Sequence, residues 1–199
     1  MKYIGVIGRI NDDRITYNRE ILDVIYKYNC IPICISLRFL KNSEEEFELI
    51  KPLLNKCDGF ILQGGTDFYD IDILIVKYLY KNNIPTLGIC LGMQTMACAF
   101  GGKLDSIDNH YSLSEYVHYV DIDKNSKLFE IIGEKAILVN SRHHQFVKNT
   151  DLYQSAFSNV LEAVEDCNKK FFIGVEWHPE SIMDKNSIYL FDNFFFSIK

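Results

Sequence analysis

The chain has 199 residues, 48% of them hydrophobic and 24% charged, which fits one ordinary globular domain over 1–199 and excludes a disordered or low-complexity chain. Lys plus Arg number 21 against 27 Asp plus Glu, a net charge of −6, so neither nucleic acid nor an anionic membrane is expected as the main partner. No run approaches the roughly 20 apolar residues of a membrane span, and the six cysteines contain no C-x-x-C pair, so the expectation is a cytoplasmic protein with reduced thiols, mostly buried, and no metal site.

Tyr3 to Ile7 is an apolar run of strand length, too short for a signal peptide and followed at once by Gly8-Arg9. Asn18, Ile21, Leu22, Ile25 and Tyr28 then fall at helical spacing, completing one βα unit. Ile31 to Ser36 reads as a second strand. Ser43-Glu44-Glu45-Glu46 has the spacing of a capping box ahead of a helix that Pro52 should kink or restart. Gly59 to Gln63 is a third strand, Asp70 to Asn82 a helix, and Ile84 to Ile89 a fourth strand. Short apolar strands alternating with amphipathic helices predict a parallel sheet covered on both faces. The second half differs: Val117 to Asp123 and Ala136 to Asn140 are strand-like, Val160 to Val164 and Lys170 to Glu176 suggest a hairpin, and Ser187 to Ile198 is an apolar closing helix. The expected fold class is therefore α/β, a mostly parallel central sheet with helices on both faces and an antiparallel extension.

The sharpest chemical signal is Gly88-Ile89-Cys90-Leu91-Gly92-Met93-Gln94. It places Cys90 on a tight strand-to-helix turn with a glycine two residues away on either side, the cysteine form of a nucleophile elbow. Such a thiol stands clear of the sheet at a helix N-terminus, where the dipole is expected to lower its pKa; the alternative is a core cysteine in an ordinary turn. A thiol nucleophile needs a base, and Trp177-His178-Pro179-Glu180 supplies His178 just past an apolar strand. Glu180, folded back by Pro179, could orient the imidazole, and Glu176 is equally near in sequence.

These two motifs together resemble the signatures of the class I glutamine amidotransferase family, and the likeness runs over essentially the whole chain. The resemblance implies a Cys-His-Glu triad of Cys90, His178 and Glu180 that cleaves a γ-glutamyl amide through a thioester, with no cofactor. It also implies an oxyanion hole from the N–H of Leu91 and one from Gly64 or Gly65 in Gln63-Gly64-Gly65-Thr66-Asp67, where backbone donors need not reorganise. Within the family, Asn140-Ser141-Arg142-His143-His144-Gln145 matches the segment that holds the substrate's α-amino and α-carboxylate groups, which makes His143, His144 and Gln145 binding candidates, with Gln94 one turn beyond Cys90. The paired histidines suggest metal, but no acidic or thiol ligand is spaced to complete a site. His110 and His118 have no evident partner and read as surface residues.

The Gly64-Gly65-Thr66-Asp67 turn and the Asn140 to Gln145 segment look more like the γ-glutamyl hydrolase branch, typified by γ-glutamyl-γ-aminobutyrate hydrolases, than like glutamine-dependent synthases. The first expectation is thus a free-standing hydrolase of a small-molecule γ-glutamyl amide, its amine lined by Arg9 to Tyr17, Asp67 to Asp70 and Asn109 to Tyr116. The alternatives are a glutaminase subunit that passes ammonia to a separate synthase chain, and a binding protein on an inactive scaffold.

Overall fold

A computed structural model describes residues 1–38, 42–108 and 110–198. In chain order the first half runs β1 (Lys2–Ile7), β2 (Arg9–Asn11), β3 (Arg14–Thr16), α1 (Arg19–Lys27), β4 (Cys30–Ile35), α2 (Ser43–Leu54), β5 (Gly59–Leu62), α3 (Asp70–Lys81), β6 (Thr86–Ile89) and α4 (Leu91–Ala99). The second half runs β7 (Lys103–Ser106), β8 (His118–Ile122), α5 (Lys127–Ile132), β9 (Ala136–Val139), β10 (Gln145–Lys148), β11 (Tyr153–Phe157), β12 (Leu161–Glu165), β13 (Phe172–Val175), α6 (Pro179–Ile182) and α7 (Lys185–Ser197).

Nine strands form one sheet in the order β4-β1-β5-β6-β13-β12-β11-β8-β9. The pairs from β4 to β13 are parallel, and those from β13 to β9 are antiparallel. The expected fold class is the observed one. β13 is the seam: it comes late in sequence yet inserts beside β6, with Val175 opposite Ile89, which brings the residues after β13 next to those after β6.

The pleat sends alternate side chains to opposite faces. Ile4, Val6, Ile61, Leu87, Ile89, Ile173 and Val175 face α1, α5 and α7, whereas Ile7, Phe60, Leu62 and Phe172 face α2, α3 and α4. α1 begins where Asn18 accepts a hydrogen bond from Glu20 N–H at 2.8 Å, and its Ile21, Val24 and Ile25 form the buried stripe.

Several expectations need correction. The cap of α2 is Asn42, whose Oδ1 accepts from Glu45 N–H, and the helix runs on through Pro52. Pro52 lies in the last turn, so it removes one backbone bond and leaves the rest of the helix intact. The β2–β3 and β7–β10 ribbons, β11, α5 and α6 carry no clear local signal in the sequence; each is short, and pairing partners such as Gln145 and Ser106 lie far apart in the chain. Of the six free cysteines, Cys30, Cys57 and Cys90 are buried, Cys98 is half-buried, and Cys34 and Cys167 are exposed. Among the described residues no helix is long and apolar enough to cross a membrane.

Candidate active site

Cys90 occupies the turn between β6 and α4 at φ +52° and ψ −110°, a conformation that stores strain in an L-residue. Surrounding bonds hold it there: Cys90 N–H donates to Val175 O at 2.8 Å, and Gln94 N–H donates to Cys90 O at 2.9 Å. A Cβ on Gly92 would stand 2.1 Å from Leu62 O, and one on Gly88 would stand 2.8 Å from the Gly92 main chain. Both flanking positions therefore need glycine for α4 to seat this close to the sheet.

The thiol is only 6% exposed, and this reverses the expected sign of its pKa. Burial pushes Cys90 well above its ordinary value, the Glu176 carboxylate pushes it the same way, and the hydrogen bond from Leu91 N–H offsets them only in part.

His178 follows β13 and caps α6, with Pro179 at the first helical position. Its Nδ1 lies 2.8 Å from Glu180 Oε1. The carboxylate can only accept, so Nδ1 carries the proton and Nε2 is left as the basic nitrogen. Two asparagines complete the arrangement. Asn140 grips the His178 backbone, accepting from its N–H at 2.8 Å and donating to its carbonyl at 3.1 Å. Asn18 donates through Nδ2 to Glu180 Oε1 at 3.0 Å and through its backbone N–H to Gln63 Oε1 at 2.6 Å. A Cβ on Gly64 would lie 2.9 Å from His178 Cε1 and 3.6 Å from Cys90 Cβ. Cys90, His178 and Gly64 thus converge at the C-terminal edge of β5, β6 and β13, where open α/β sheets place their sites.

Comparison with known proteins accords with this geometry. The Peptidase C26 family profile matches residues 69–180, more than half of the chain and a stretch that includes Cys90, His178 and Glu180. The chain belongs to the Peptidase C26 family. A GMP synthase from Francisella tularensis subsp. holarctica is 31% identical over 148 residues, 72% of this chain and 28% of that protein. One from Brachyspira hyodysenteriae is 30% identical over 174 residues, 84% of this chain and 30% of that protein. The chain therefore spans less than a third of the length of these GMP synthases. A proposed glutamine amidotransferase from Schizosaccharomyces pombe is 29% identical over 83% of this chain and 85% of its own length. Among solved structures, a proposed GMP synthase subunit from Thermoplasma acidophilum superposes with TM-score 0.74 at 21% identity, over 100% of this chain and 94% of that one. The glutaminase domain of Trypanosoma brucei CTPS superposes with TM-score 0.67 at 20% identity, over 98% of this chain and 94% of that one. These two establish likeness of fold.

Other residues expected at this Peptidase C26 site take different places in the structure. Glu176, fully buried, does not face His178: its Oε1 accepts from Gln94 Nε2 and lies 3.4 Å from His143 Nδ1, and its Oε2 has no partner. Burial and the charge of Glu162 push its carboxyl well above the usual range. Glu180 is thus the acid in contact with His178. Gln94 also donates to Gln145 O at 3.1 Å, and His143 Nδ1 donates to that carbonyl at 2.8 Å. Gln94 and His143 are therefore buried beside the elbow, where their N–H groups hold the β10 strand in place. His144 is exposed and stacks on Tyr111 at 4.8 Å between ring centroids, and the Gln145 side chain is exposed. Arg9, expected in a substrate loop, is buried against Asp72 at 2.8 Å and lines a cleft of about 290 Å³ with Asn11, Thr16, Asn18, Gly64 and Gly65. Asn109 lies outside the described residues.

His110 and His118 are not the partnerless surface residues expected. His110 is buried with Nδ1 3.4 Å from His143 Nε2, and His118 Nε2 is 2.9 Å from the buried Glu162 Oε1. Sequence reasoning placed Asn18 only in a helical pattern and gave Glu162 no role. An asparagine immediately before a helical pattern signals a cap, but nothing local signals its second bond to Glu180.

Proposed function

We propose that this chain is a glutaminase component, which hydrolyses the γ-amide of glutamine and delivers ammonia to a separate synthase. The observation that carries the reading is the similarity to GMP synthases that, by name, hydrolyse glutamine, over a segment spanning 28–30% of their length.

In this mechanism His178 Nε2 takes the Cys90 proton as the sulfur attacks the amide carbon. Leu91 N–H and an N–H of the Gly64-Gly65 turn hold the tetrahedral oxyanion. The imidazolium returns its proton to the departing nitrogen, leaving a γ-glutamyl thioester, and His178 then activates the water that releases glutamate. Glu180 keeps Nδ1 protonated and stabilises the imidazolium throughout.

The cleft lined by Arg9, Asn11, Thr16 and Gly64 supports a second reading, the free-standing hydrolase of a larger γ-glutamyl amide, because it gives a substituted amine somewhere to go. Glutamate release from glutamine and from N-substituted γ-glutamyl amides, measured with the isolated chain and with an added synthase, separates the two. Slow glutamine turnover that the synthase accelerates is the expected result. A higher kcat/KM for an N-substituted amide without any partner would replace the glutaminase reading with the hydrolase.

A further inference from the structure

We propose that His110, His118 and Glu162 form a binding site for a divalent transition metal ion of the zinc class, separate from the Cys90 centre. Among the described residues, their ligand atoms are the one such group found within 4.8 Å of one another. Two imidazoles and one carboxylate are a donor set that suits zinc, with a fourth position left for water. The inference stands whether or not the glutaminase reading does.

The hydrogen bonds around the group prepare it for a cation. His143 Nδ1 donates to Gln145 O at 2.8 Å, since a carbonyl can only accept, and in a neutral imidazole this leaves Nε2 without a proton. Its Nε2 is therefore an acceptor, and among the described residues the donor facing it is His110 Nδ1 at 3.4 Å. With its own proton on Nδ1, facing that acceptor, His110 leaves Nε2 as a bare lone pair. That is the state of a metal-ligating histidine, one nitrogen free and the other donating to a second group that fixes the ring. Glu162 is oriented in the same way, by Ser158 Oγ at 2.7 Å. A cation would replace the proton bridging His118 Nε2 and Glu162 Oε1, which are 2.9 Å apart, and that proton moves to Nδ1 or to solvent. It would also neutralise a buried carboxylate whose side-chain partners among the described residues are the half-buried His118 and a hydroxyl. Access exists: His110, His118 and Ser158 line a cleft of about 450 Å³ together with Val117, Tyr119 and Asn159.

The site does not touch the candidate nucleophile, but it borders the elements that support it. Glu162 O accepts from Glu176 N–H at 2.8 Å, and His110 O accepts from Ser141 Oγ and from His143 N–H.

The test is a titration of the full chain with Co²⁺ as a spectroscopic substitute for zinc, in a Cys90→Ala background so that the active-site sulfur cannot compete. One equivalent of bound Co²⁺ with the visible absorption of a low-coordinate centre and no thiolate charge-transfer band is expected, with displacement by Zn²⁺. His118→Ala, a half-buried position chosen so that the fold survives, and Glu162→Gln should each weaken binding at least about 10-fold, since losing even an outer-shell partner costs that much. His143→Gln should weaken it by roughly 10-fold through that outer shell. Absence of stoichiometric binding, or binding that His118→Ala and Glu162→Gln both leave intact, would overturn the proposal.

Discussion

The two halves of the sheet build the candidate site by different means. Residues up to Ala99 place Cys90 and Gly64 through main-chain geometry: a positive φ at the cysteine, a helix pressed onto β5 through Gly92, and a glycine turn lying against the base. Residues beyond Gly101 place their groups through side-chain hydrogen bonds, with Asn140 gripping His178, Glu180 orienting it, and Glu176 tying Gln94 to the β10 strand. Main-chain geometry leaves a local mark in sequence, because only glycine fits at the close approaches. Side-chain networks leave almost none, since any one member is an ordinary polar residue until its distant partner is known.

The contrast can be tested by breaking each kind of support in turn. The largest effect belongs to the reacting groups themselves. Cys90→Ala and His178→Ala should each lower kcat by about 10⁴-fold or more with the thermal midpoint nearly unchanged, measured by glutamate release and calorimetry. Next comes the orienting acid. Glu180→Gln removes the charge that stabilises the imidazolium and lets an amide N–H face Nδ1 and favour the wrong tautomer, and should cost roughly 10²- to 10⁴-fold in kcat, whereas Glu176→Gln should cost less than about 10-fold because it does not touch His178. The reverse order would mean that Glu176 is the third member after all.

Main-chain support is broken by adding one methyl group. Gly64→Ala would drive a Cβ into His178 Cε1 and should lower kcat about 100-fold, the scale of a 1 Å displacement at a reacting group, while urea unfolding shifts little. The smallest effects concern ionisation. The folded-state pKa of Glu176 is raised, so its contribution to stability is full below the unfolded value of about 4.3 and is lost as pH rises through the folded value. Glu176→Gln removes this dependence and should unfold at higher urea than the wild type at pH 8, with the gap closing near pH 4. Above the folded-state pKa of Glu176 the same substitution also removes a charge that raises the Cys90 pKa, so alkylation of Cys90 there should speed up. In the wild type a small undirected alkylating agent should reach exposed Cys34 and Cys167 first, and only a glutamine-like electrophile should favour Cys90.

What can be read from sequence follows the same division. The βα alternation, the β12–β13 hairpin, the elbow at Cys90 and the motif carrying His178 are local patterns of apolar spacing and glycine, and each appears where expected. The thiol's pKa cannot be read that way, because the Leu91 N–H bond that lowers it belongs to the turn, while the burial and the Glu176 carboxylate that raise it depend on strands paired across the whole sheet. His110 and His118 escape a local reading for the same reason: their partners, His143 and Glu162, lie 33 and 44 residues away.

Asn18 carries a consequence for how this site can drift over generations. One side chain caps α1 with its oxygen and steadies Glu180 with its nitrogen, while its own main chain holds Gln63. Aspartate would keep the cap and set a second negative charge against Glu180; serine would keep the cap and lose the reach; alanine would lose both. In a saturation-mutagenesis survey, column 18 should therefore be nearly as intolerant as the columns for the reacting residues. A census of invariant positions would then count as chemical a residue whose whole contribution is architectural.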